Sequence, residues 1–181
     1  EACQLLDQAM SINENDDPSS ELFCTIAAGI TYMAVDSTET RAEPALLRAA
    51  EAMRNGAYDD TGLYPQAMAN LANIYIRKNE FQKGISLCQE VMEQSNKLQN
   101  PRGAMLAAIN LCGNYTELNF FDRALHYNNE GLRLFREDNE TWGMAASLYE
   151  RRALIYKRMG LIDSAFLALN LADSFYIRAT N

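Results

Sequence analysis

The sequence predicts an all-α chain, an array of antiparallel helix hairpins with about nine helices in all. Three observations lead there. Four apolar-periodic segments, Glu21–Val35, Tyr64–Arg77, Ala104–Glu117 and Ala145–Arg158, recur along the chain. Each reaches a tyrosine near its end (Tyr32, Tyr75, Tyr115, Tyr156), at intervals of 43, 40 and 41 residues. Turn residues are scarce, with four prolines and nine glycines in 181 residues, whereas sandwiches and barrels need many.

Each element follows in order. Ala2, Leu6 and Ala9 repeat the spacing of Ala45, Ala49 and Ala52 one interval of 43 residues earlier. Residues 1–14 are therefore expected to form an orphan second helix, and the chain is expected to be a piece of a longer protein. Hairpins are expected over 19–56, 61–98, 102–138 and 142–179. After each tyrosine comes a short polar turn, then a small residue that opens the second helix: Ala45, Gly84, Ala124 and Ala165. A small side chain there lets the two helices approach closely. In the last three turns Asn79, Asn119 and Gly160 stand where a helix should end in a left-handed residue, a conformation that Asn and Gly tolerate best. Between hairpins, Asp59-Asp60-Thr61-Gly62, Asn100-Pro101-Arg102-Gly103 and the stretch from Asn139 to Gly143 each supply a polar cap and then a glycine.

The trios Ala72-Tyr75-Gly84, Cys112-Tyr115-Ala124 and Ala153-Tyr156-Ala165 resemble the tetratricopeptide repeat, which places a small residue, a tyrosine three on and an alanine nine further on. Gly29-Tyr32 fits as well, with its small residue four positions late at Ala45. The resemblance covers essentially the whole chain and implies a right-handed superhelical solenoid. The period of about 40 residues, against the family's usual ~34, is similar to that of bacterial signalling regulators and sensors.

Composition bounds the function. The formal net charge is −8. It divides into −9 through Asp60 and +1 from Thr61 onward. Such a chain has no basic footprint for nucleic acid, so no direct nucleic-acid contact is expected. No apolar run nears the roughly 20 residues that span a bilayer, so membrane insertion is not expected either. No signal-peptide pattern opens the chain.

The residues form no recognisable catalytic constellation. Cys3, Cys24, Cys88 and Cys112 form no C-x-x-C pair and sit among apolar residues as small buried hydrophobes. The lone histidine, His126, reads as a surface residue of a second helix. Neither a P-loop nor a G-x-G-x-x-G turn occurs. Asp16-Asp17 and Asp59-Asp60 read as solvated turn residues rather than calcium ligands. No catalytic residue, metal or cofactor is expected, and the segment is not expected to be an enzyme.

A binding module remains, with a protein or peptide as its partner. In a solenoid the first helix of each hairpin lines the concave wall. If Leu71, Tyr75, Leu111 and Tyr115 pack inward, the faces beside them expose Asn70, Asn73, Arg77, Asn110, Asn114, Arg151 and Arg158. Asparagine suits a peptide backbone because its amide both donates and accepts, and arginine grips carboxylates with paired bonds. Tetratricopeptide domains that clamp a C-terminal carboxylate use two asparagines, two lysines and an arginine. The resemblance carries three of these over, to Asn73, Asn110 and Arg151, while Ala69 and Ser147 stand at the lysine positions. Two readings follow: the sensing or regulatory region of a bacterial signalling protein, or a free-standing adaptor that uses exposed apolar residues of its terminal helices, with Leu5, Phe175 and Tyr176 as candidates.

Overall fold

The computed structural model describes residues 18–35, 41–55, 63–137 and 139–180. Among them are eight α-helices and no strand, so the chain is all-α. They are α1 (Pro18–Val35), α2 (Ala42–Arg54), α3 (Tyr64–Arg77), α4 (Phe81–Lys97), α5 (Pro101–Glu117), α6 (Phe121–Arg133), α7 (Asn139–Arg158) and α8 (Ile162–Ala179). The orphan helix expected over 1–14 lies outside the described residues, as do Asp16, Asp17, Asp59, Asp60 and Cys3. The chain divides into two compact units, residues 1–84 and 85–181, within the first turn of α4.

In the first unit α2 packs on α1, and α3 packs on both. Close approach of α1 and α2 depends on Gly29, because a Cβ there would lie 2.4 Å from Leu46 Cδ2 and 2.6 Å from its Cγ. Leu46, Ala45 and Ala49 are buried at that contact. At the first turn of α4, a Cβ on Gly84 would come within 3.1 Å of the Ala72 carbonyl oxygen. This is the close approach for which a small residue is expected after the tyrosine.

In the second unit α6 packs on α5, α8 packs on α7, and α7 in turn lies against both α5 and α6. Met105, Ile109 and Leu148 form a buried cluster that Leu132, Leu134, Phe135 and Met144 close over. Most of α5 is buried, twelve of its seventeen residues, and these lie on more than one face.

The turns follow one scheme. Asn79, Asn119 and Gly160 have φ of 61°, 59° and 78°, as expected. In each case the residue after the left-handed one donates its N–H five residues back to a repeat tyrosine's carbonyl: Glu80 to Tyr75 (2.7 Å), Phe120 to Tyr115 (2.8 Å) and Leu161 to Tyr156 (2.9 Å). The left-handed residue itself donates three back, which completes a Schellman closure. Gln99 adopts the same conformation at φ 53°, with Asn100 N–H donating to Ser95 O at 2.8 Å. Asn100 then caps α5, its Oδ1 accepting from Gly103 N–H at 2.9 Å, while Pro101 opens the helix.

Candidate functional site

The first helices of the second unit, α5 and α7, face each other through two rows of residues. Asn110, Gly113 and Glu117 stand on α5 at helical spacing; Ser147, Arg151 and Arg158 stand on α7. Contact between the rows occurs at two points. At one, the Arg151 guanidinium lies over Gly113, where a Cβ would sit 3.3 Å from Nη1. At the other, Arg158 Nη2 donates to both carboxylate oxygens of Glu117 (2.8 and 2.9 Å), and its Nη1 donates to the Thr116 carbonyl at 2.9 Å.

The two arginines are therefore in different states. Arg158 is neutralised and also satisfies a carbonyl in the last turn of α5, so it ties the two helices together. Arg151 is half-buried, and among the described residues no carboxylate pairs with it and no hydrogen bond holds it. Its nearest acidic neighbour in sequence, Glu150, is engaged elsewhere, accepting from Tyr176 Oη at 2.9 Å.

The asparagines depart from expectation. Asn110 is only 8% exposed, and its Nδ2 donates back to Leu106 O at 2.9 Å, within its own helix. Asn114 is 2% exposed rather than facing a groove, and among the described residues its Nδ2 has no hydrogen-bond partner. The reason is the packing of α5, which is covered on more sides than one apolar stripe would imply. In the first unit Asn73 and Arg77 are exposed and Asn70 is half-buried. Arg77 Nη2 approaches Met33 Sδ at 3.8 Å. Asn70, Asn73 and Arg77 thus share α3, while Asn110 and Arg151 belong to the facing rows of the second unit.

Two features have no local sequence signal. Asn128 on α6 is fully buried and binds α7 from two sides: its Nδ2 donates to Leu148 O at 2.6 Å, and its Oδ1 accepts from Arg152 Nε at 2.8 Å. Phe135, Trp142, Tyr149 and Phe175 form an aromatic cluster with ring centroids 4.8 to 5.4 Å apart, capped by Arg178 over Trp142 at 5.2 Å. Phe175, expected as an exposed terminal residue, points into this cluster and is half-buried. Tyr176 is exposed, and Leu5 lies outside the described residues.

Burial governs the thiols. It pushes Cys88 up to about 12. Cys112 is raised by burial too, against the opposing pull of its Asn128 contact and the nearby Arg151 charge. Both sulfurs are therefore neutral thiols at physiological pH. His126 is exposed and meets the Tyr127 ring edge-on at 5.1 Å. Among the described residues no three His, Cys, Asp or Glu side chains gather as a metal site would require, and no helix is long and apolar enough to cross a membrane. A cavity of about 370 Å³ lies at the α5–α6 turn, lined by Asn119, Phe120, Phe121, Asp122, Arg123 and Met159. None of the expected site residues lines it.

Neither a protein-family model nor a curated protein sequence matches the chain.

Proposed function

We propose that this chain is a tetratricopeptide-type solenoid that binds a protein or peptide, with Arg151 as the central contact for an acidic group or carbonyl of the partner. One observation carries the reading: a half-buried guanidinium lies on a glycine without a carboxylate to neutralise it. A charge in that position has lost part of its hydration, so a partner carboxylate gains more from it than from a fully solvated arginine. Gly113 makes the arrangement possible, since a larger residue would displace the guanidinium.

Support for the solenoid comes from hairpins recurring near 40 residues, with turns closed in the same way on the repeat tyrosines. The length of that repeat is the ground for placing the module in the sensing or regulatory region of a bacterial signalling protein. Burial of Asn110 and Asn114 shifts the weight of recognition from the asparagines to Arg151.

The test is a peptide library displayed with free and with amidated C termini, bound to the wild-type chain and to Arg151→Glu. Charge reversal should weaken the selected peptides at least tenfold, in line with the ~1.5–3 kcal/mol typical of hydrogen bonds to charged groups. Adding Asn73→Ala and Asn110→Ala should add little. Equal affinities for Arg151→Glu and wild type would remove Arg151 from the site.

A further inference from the structure

The cavity at the α5–α6 turn shares no residue with the Arg151 site. At about 370 Å³ it falls within the ~300–1,000 Å³ of ligand pockets. Asn119, Phe120, Phe121, Asp122 and Arg123 line it from that turn and the start of α6, and Met159 lines it from the turn after α7.

The fold does not ask for apolar residues here. In the three tyrosine turns the left-handed residue is flanked by Lys78 and Glu80, by Leu118 and Phe120, and by Met159 and Leu161. Glu80, Phe120 and Leu161 make the same backbone closure, so a charged side chain serves the turn as well as an aromatic one. Yet Phe120, Met159, Leu161 and Ile162 are between 41% and 56% exposed. Apolar side chains held in solvent at a turn that Lys and Glu can form point to a bound partner rather than to folding.

The lining specifies what enters. The Phe120 ring stands edge-on to Tyr115 at 6.5 Å, and the Arg123 guanidinium lies over both rings, 5.5 Å from the centroid of Tyr115 and 5.9 Å from that of Phe120. A phenyl ring, a thioether and a guanidinium plane each attract an aromatic ring more than an aliphatic chain. Asp122 supplies an acceptor for a ring N–H or O–H, and the Asn119 amide both donates and accepts, as a peptide main chain does. The apolar surface continues past Met159 to Leu161 and Ile162, which gives neighbouring residues of a bound segment a place to lie. We propose that the cavity receives a tryptophan or tyrosine side chain of a partner polypeptide, its ring between Phe120, Met159 and Arg123 and its polar tip on Asp122.

The experiment is a titration of the 181-residue chain, methyl-labelled at methionine, read by NMR at the Met159 methyl resonance. The probes are N-acetyl-tryptophanamide, N-acetyl-leucinamide and 3-methylindole, each to about 10 mM. Phe120→Glu gives this turn the residue type that Glu80 supplies at the first, so the fold is kept; Leu98→Glu alters an exposed leucine elsewhere. A saturable ring-current shift of Met159 is expected with the tryptophan amide, lost in Phe120→Glu and kept in Leu98→Glu. The leucine amide should bind about fivefold more weakly. Absence of a saturable shift, or a shift that survives Phe120→Glu, overturns the proposal. Equal binding of the leucine amide overturns the aromatic assignment, and 3-methylindole binding as tightly as the tryptophan amide overturns the polypeptide one.

Discussion

α6 and α8 hold the same place in successive hairpins, yet at the matching position of their outer faces one carries an asparagine, Asn128, and the other a leucine, Leu169. Both use small residues to approach the helix before them: Ala124 in α6, Ala165 and Ala172 in α8. They differ on the following face. α6 presents a buried asparagine that α7 answers at both ends, through Leu148 O and Arg152 Nε. α8 presents leucine and phenylalanine to solvent. A buried amide admits one register of its neighbour, because leaving either end unpaired costs about 1–3 kcal/mol. The contact of α6 with α7 is therefore specific in register.

The largest test of that contrast is Asn128→Ala. It strips Arg152 Nε of its acceptor and opens a void beneath Leu148, so a loss of about 2–3 kcal/mol is expected. The readout is a lower urea midpoint with an unchanged slope. An unchanged midpoint would mean that the amide does not hold α7 in place.

Gly131→Ala should have an intermediate effect. Its Cβ would lie 2.8 Å from Leu148 Cδ1 and 3.0 Å from Ala108 Cβ, and Leu148 is fully buried in the core cluster. Overpacking costs roughly 1–3 kcal/mol, and the better helix propensity of alanine returns about 1. A net loss near 1 kcal/mol in the same urea titration is the expected outcome, whereas a gain would show that Leu148 has room to turn aside.

The smallest effect belongs to Leu169→Asn, which gives α8 the residue that α6 carries. Thermal unfolding should move by no more than the equivalent of ~0.5 kcal/mol, as for other exposed positions. A loss above ~1 kcal/mol would mean that Leu169 already packs within the monomer.

Much of the fold was legible in local sequence. The residues Asn79, Asn119 and Gly160 mark helix ends because left-handed backbone strongly selects Asn and Gly. Gln99 escaped that logic: glutamine has no such preference, and the turn is set instead by the Schellman closure and the Asn100 cap after it. The candidate site was less legible. Spacing places Asn110 and Asn114 on a helix but cannot say on how many sides that helix is covered, and α5 has neighbours on more than one. Arg151 and Arg158 look alike in sequence, seven residues apart on one helix face. Only the facing residues, Gly113 and Glu117, separate a free guanidinium from a neutralised one.

By itself, then, the sequence determined the helices, their turns and the close approaches at small residues, since each depends on contacts within a few residues or on a periodic pattern. The tertiary structure alone decided the burial of Asn114, the fastening of α7 by Asn128 and the turning of Phe175 into an aromatic cluster. Those depend on which helix lies against which face, and pairs such as Asn128–Leu148 and Glu117–Arg158 are made by residues 20 and 41 positions apart.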